Sequence, residues 1–248
     1  MPDKVVLKPD LSFGKVGPRD RFDPAALSEA IAKLASAWHA QSAEQARLLA
    51  TVDLTTEFRE AIVRLAQRGW TLPMSLTYRD IDDLFKYSVE ETDTFFETYY
   101  TEDHFKELRK VRDELSTRPA LAKWRALLNE CFESFESGRH LITIPALLSV
   151  LDGIVSSASA SNRNRQPVKV CYEKSKEPNG PMWEMMWISL GAFVENLFQF
   201  APFDEDRPAT INRHWILHGR DVTAWTRADA LRLFNALQTI NSLLEPRS

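Results

Sequence analysis

Cysteine is nearly absent from this 248-residue chain, which carries only Cys131 and Cys171. Two thiols cannot build a disulfide framework, and a reducing compartment is the simplest setting for them. Glycine is scarce too, at 8 residues. Few glycines beside abundant Ala, Leu, Glu and Arg disfavour a turn-rich sheet and favour helix. Long uncharged apolar runs are missing. The longest apolar stretch, "MWEMMWISLGAFVENLFQF" at 182–200, is interrupted by Glu184 and Glu195, and the piece between them is too short to cross a bilayer. The opening residues show no apolar segment of the secretory kind. An excess of positive charge is also lacking: the net charge is −4 and the isoelectric point near 5.8. That speaks against a general nucleic-acid coat but allows a local basic patch. The expectation is a cytoplasmic protein with no membrane part.

What is present is a helical texture. Hydrophobic residues make up 44% of the chain, enough for a sizeable core. Residues 1–22, with Pro2, Pro9, Gly14, Gly17 and Pro18, read as an irregular arm. Asp23 and Pro24 then predict a capped helix running to about residue 50. A second helix follows over 53–69, with apolar residues at 54, 58, 62 and 65 and Gly69 as its stop. Residues 53–117 hold 15 Asp/Glu against 9 Lys/Arg, so 23–117 is expected to be an acidic helical module. Pro119 predicts the start of a helix that Gly138 ends. Pro145 predicts the start of another, on which Asp152 sits among Leu147, Leu148, Leu151 and Ile154 and needs a partner or an opening. Residues 157–181 read as a long polar loop, with five basic residues and one acidic one between 161 and 176. The Met- and Trp-rich stretch predicts a helix that is apolar nearly all round, either fully buried or part of an interface. Thr226, with Asp229 three residues on, predicts a capping box for the last helix, packed inward by Leu231, Phe234, Leu237, Ile240 and Leu244. No strand alternation and no repeat emerges. The fold class is all-α, a helical bundle.

The segment "INRHWILHGR" at 211–220 concentrates chemistry: Asn212, Arg213, His214 and His218 interleave with Ile, Trp and Leu. Thr210 is the expected cap of a two-turn helix and Gly219 its end. Near a helix C-terminus the dipole favours a protonated His218, a residue suited to general acid or base work. The planar fork of Arg213 suits phosphate oxygens. The two residues lie roughly 140° apart around an ideal helix, bridgeable only because Arg is long. Three other readings compete. Arg and His can be capping and packing residues of a core helix. His214 and His218 have the spacing of a zinc pair, although Trp215 stands where a metalloprotease has Glu. Cys131 or Cys171 could act as a nucleophile; Cys131 falls on an apolar face, and Cys171 lies in the basic loop.

"NRHWILHG", with the polar His214 directly after Arg213, resembles the R-x4-6-H signature of the HEPN superfamily. The upstream "WRALLNECFESFESGRHLITIPALLSVLDGI" and the downstream "TRADALRLFNALQTINSLL" are similar to helices around that signature in one branch of the superfamily. The resemblance covers about 118–248 and leaves 23–117 as a helical N-terminal extension. It implies a metal-independent endoribonuclease without cofactor, of the toxin or phage-defence kind, with RNA as partner and a homodimer whose composite active site joins two motifs. Such a toxin would have an antitoxin or regulatory protein as a further partner. His218 would move protons and Arg213 would hold the phosphate as catalytic residues, with Asn212 and His214 orienting or binding substrate. Arg163, Arg165, Lys169 and Arg220 would form an RNA-binding basic strip. Because many HEPN domains are inactive, a non-catalytic helical module that binds a partner protein or a nucleotide is the alternative. Whether Asp152 or His140 faces the site is open from sequence.

Overall fold

The computed structural model describes residues 56–160, 167–220 and 224–243, and the predicted arm, the first predicted helix, Arg163, Arg165 and Leu244 lie outside them. Among the described residues there are nine α-helices and no strand. They are α1 (Thr56–Gln67), α2 (Tyr78–Leu84), α3 (Val89–Thr117), α4 (Arg125–Glu136), α5 (His140–Ala160), α6 (Pro167–Lys174), α7 (Pro181–Phe198), α8 (Arg213–Leu217) and α9 (Arg227–Leu243). A 3-10 turn, Pro119–Trp124, leads into α4. The all-α class read from the sequence is the fold observed.

Local chemistry sets three of the helix starts. Thr77 with Asp80, Ser88 with Glu91, and Thr226 with Asp229 each form a reciprocal capping box that satisfies two otherwise orphaned backbone N–H groups. Two expectations fail. The helix predicted to begin at Pro145 begins at His140, and Pro145 lies inside it. Proline removes the hydrogen bond to the carbonyl four residues back, here that of Leu141. Leu141 and its neighbour Ile142 are exposed, so water can take that carbonyl. The helix therefore holds a stretch, His140–Ser157, long and apolar enough to cross a membrane by length and composition. Its Ile144, Leu147, Leu148, Leu151 and Ile154 are buried in the core. The second failure is the polar loop 157–181, which contains α6. Val168 and Cys171 pack there against the core and give that stretch a helical inner face despite its charge.

Helix α9 is the central element. Every residue in it except Arg227 and Ser242 is buried, and α3, α5 and α7 all pack against it. One apolar cluster runs from Ile62 to Leu243, so residues 56–117 and 118–243 share a core across the position where the sequence suggested a boundary. Phe132 stacks on Phe234 at 4.4 Å, and Phe135 meets the same ring edge-on. Through this core runs a polar seam along α9. Asn235 accepts hydrogen bonds from the backbone N–H and hydroxyl of Thr71, both at 2.7 Å, and donates to the Tyr100 hydroxyl. Tyr100 in turn donates to Gln238 at 2.8 Å, and burial pushes its hydroxyl well above the usual tyrosine range. Near the start of α9, Arg232 donates to Asp229, to both oxygens of Asp93 and to the carbonyl of Arg68. The neighbouring Gly69 has φ +94, and a Cβ there would stand 2.5 Å from the Arg232 side chain, so only glycine fits.

Helix α3 is two arms joined by a left-handed turn. Asp103, His104 and Phe105 all have positive φ, between 48 and 64. Each arm then has its own buried stripe, Thr92, Phe96 and Tyr100 before the turn and Leu108, Val111 and Leu115 after it. Phe105 is anchored edge-on to Phe135 at 6.2 Å, which holds the turn against its intrinsic cost. For a side chain the left-handed region costs about 1–2 kcal/mol per residue. Because His104 is exposed and spent on the turn alone, His104→Gly is expected to stabilise the protein by about 0.5–1 kcal/mol, after subtracting the unfolded-state freedom of glycine. A urea midpoint unchanged or lowered in that variant would show that the turn carries no such strain.

Candidate active site

Helix α8 is shorter than its sequence suggests, five residues rather than two turns. Its cap is Asn212, not Thr210: the Asn212 side chain accepts the Trp215 backbone N–H at 3.2 Å, while the Thr210 hydroxyl accepts from Asn196 at 2.8 Å. Asn212 also donates to the Gln199 carbonyl at 2.8 Å and is buried. Its amide thus fastens α8 to the end of α7. Trp215 repeats the device, its indole N–H donating to the Ala201 carbonyl at 3.1 Å. Ile211, Trp215 and Ile216 point into the core. The remaining residues, Arg213, His214, Leu217 and His218, are left at the surface, half-buried or exposed. Gly219, with φ +63, ends the turn as its sequence position predicts.

The outer face of α8 is a cluster of flat groups. The His214 ring stacks on Phe203 at 4.5 Å with an interplanar angle of 6°. The His218 ring meets His214 at 4.9 Å and Phe203 at 5.3 Å, both edge-on. The Arg220 guanidinium lies 4.1 Å from the Phe203 ring centre. Phe200, 71% exposed, borders His214 at 5.0 Å. The loop that supplies Phe203 also carries the exposed Asp204, Glu205 and Asp206.

Arg213 points the other way, toward α5. Its Nε donates to one oxygen of Asp152 at 3.0 Å and its Nη2 to the other at 3.1 Å, a bidentate pair between side chains 37% and 29% exposed. The Phe198 ring lies 5.5 Å from the guanidinium carbon. Here the polar residue on the apolar α5 finds its partner, and Asp152, not His140, is the residue that reaches the site. Sequence inspection marks Asp152 as needing a partner but does not say which. A groove of about 650 Å³, lined by Val63, Gln67, Pro167, Val168, Phe198 and Gln199 among others, joins this corner to the start of α6. Lys169 is exposed on α6.

The rival nucleophiles are quiet. Burial pushes both thiols up to about 12, Cys131 with a smaller contribution from Glu130. Cys171, expected in an open basic loop, is buried on α6 against Gly191. Because their folded values lie above the unfolded one, both thiols stabilise the native state fully below about pH 8.5 and progressively less as pH rises toward 12. At pH 8 iodoacetamide is therefore expected to label neither thiol in native protein and both in urea, as read by mass spectrometry. Among the described residues no group of three or more His, Cys, Asp or Glu is placed to hold a metal ion, the His214–His218 pair included. The chain matches no family model, no curated protein and no solved structure.

Proposed function

We propose that the chain is a metal-independent endoribonuclease of the HEPN kind, acting in the cytoplasm as a toxin or phage-defence effector. The observation that carries this reading is the division of labour on α8. One five-residue helix and the residue that caps its end hold an arginine fixed in orientation and two histidine rings 4.9 Å apart at the surface. Histidine is suited to proton transfer near neutrality, and the fork of arginine to phosphate oxygens. In the proposed step the RNA 2′-oxygen bonds to the adjacent phosphorus and the bond from phosphorus to the 5′-oxygen breaks. The 2′-hydroxyl proton leaves to a base, and the 5′-oxygen takes up a proton. His218 serves in this transfer, His214 borders it, and Arg213, which faces α5 rather than the rings of its own chain, offsets the charge that builds on the phosphorane oxygens in a composite site of two copies. The products carry a 2′,3′-cyclic phosphate and a 5′-hydroxyl. A homodimer would bring two such helices together. The exposed Phe200 and Leu217 beside the site supply apolar surface for that contact.

The test is incubation of purified protein with total cellular RNA in EDTA. Fragments bearing cyclic phosphate ends are the expected result, and intact RNA in the presence of folded dimer counts against the reading. One observation favours a second reading: Arg213 already has a carboxylate partner, as it would in a non-catalytic module that binds a partner protein or nucleotide. A strict monomer by light scattering, together with intact RNA, would favour that module.

A further inference from the structure

The geometry assigns Asp152 as the positioning residue that aims Arg213 at a phosphate. This rests on the reading of Arg213 as the phosphate-holding residue. A guanidinium offers five N–H donors in one rigid plane. Asp152 occupies the side edge, Nε and one hydrogen of Nη2. The end edge, formed by Nη1 and the second hydrogen of Nη2, has no partner among the described residues. That edge alone can grip two phosphate oxygens in the guanidinium plane, so carboxylate and phosphate do not compete for the same donors.

What Asp152 adds is rigidity. Helix α8 is five residues long and lies at the surface, whereas α5 is packed on α4 and α9. Beside Asp152, Gly153 lies so close to Trp124 that an added Cβ would stand 2.7 Å from the indole ring. The carboxylate is thus mounted on a helix that has little room to shift. Through two hydrogen bonds it passes that fixity to the end of a long side chain that would otherwise sample many rotamers. Preset orientation of a charged donor is worth more than its charge alone, because the ordering is complete before the substrate arrives.

Charge and position predict opposite signs, which makes the proposal testable. By charge alone, removing the Asp152 carboxylate leaves Arg213 less neutralised and tightens anion binding. By position, removal loosens the fork and weakens it. The probe is a short 2′-deoxy oligonucleotide, which lacks the attacking hydroxyl and so reports binding without turnover. Its affinity for the full-length protein is measured by calorimetry, with Arg213→Ala defining the contribution of the arginine. Asp152→Ala is expected to lower affinity by about tenfold, toward the Arg213→Ala level. Asp152→Glu, which keeps the carboxylate, should recover part of the loss. Unchanged thermal melting in all three variants separates the effect from misfolding, as expected for a pair this exposed. Equal or tighter binding by Asp152→Ala overturns the assignment while leaving the phosphate site standing. If wild type shows no Arg213-dependent binding at all, the phosphate-site reading itself fails and takes this assignment with it.

Discussion

Arg232→Ala is expected to lower the folding free energy by about 3–5 kcal/mol, the largest stability effect of any single change proposed for this protein. The side chain is only 8% exposed and ties two separate parts of the chain, at Arg68 and Asp93, to α9. Its removal leaves Asp229, 5% exposed, and Asp93, 30% exposed, facing each other's charge without the cation between them, and it strips the Arg68 carbonyl of its donor. Asp229 keeps its bonds to Thr226, and Asp93 keeps the indole N–H of Trp70 at 2.7 Å, so each carboxylate remains partly satisfied. Neither of those donors carries a full charge. A loss of this size is a large share of the roughly 5–15 kcal/mol that holds a typical domain together. In urea the midpoint should fall while the slope stays constant, because the unfolded chain exposes the same surface. Asp93→Ala made in the same background should cost less than it does alone, since the two changes remove one interaction. Full additivity would mean that the ion pair contributes nothing and that the loss comes from packing.

His218→Ala is expected to abolish most RNA cleavage, by a factor on the order of 10²–10⁴, which is what a positioned proton-transfer group contributes. Arg213→Ala should cost on the order of 10²–10³, as the loss of one charge-stabilising donor does. Stability should barely respond to His218→Ala, because His218 is exposed at the end of α8 and its contacts are ring edges. Asn212→Ala would behave in the opposite manner. It removes the cap of α8 and the tie to Gln199, so melting temperature and activity should fall together, by about 1 kcal/mol in stability. The comparison separates a chemical role from a framing role on neighbouring residues. If His218→Ala cleaves RNA at the wild-type rate in a purified sample, His218 is not the proton-transfer group, and the cluster around Phe203 would then serve binding instead.

The sequence alone determined most of the elements, though not α6 or the start of α5. Apolar spacing over 121–135, the Thr226 and Asp229 pair, and the Gly69, Gly138 and Gly219 stops are all local signals, each acting within a turn or two. The grouping of Arg213, His214 and His218 was equally legible, because the three residues lie on one contiguous piece of chain. Tertiary structure decided everything that depends on who meets whom. Asp152 was readable as a polar residue in need of a partner, but the partner is 61 residues away and lies on another helix. The polar residues Asp229, Arg232, Asn235 and Gln238 recur along α9 at spacings that resemble an ordinary solvated face, yet the helix is central. They face Asp93, Thr71 and Tyr100, more than 130 residues distant in sequence. Periodicity shows that one stripe of a helix differs from another. It does not reveal whether the polar stripe meets water or a matching set of hydrogen-bond partners, because burial is a property of the assembled neighbours. The same limit hid α6, whose charged sequence reads as loop until the core beneath Val168 and Cys171 is present to bury its inner face.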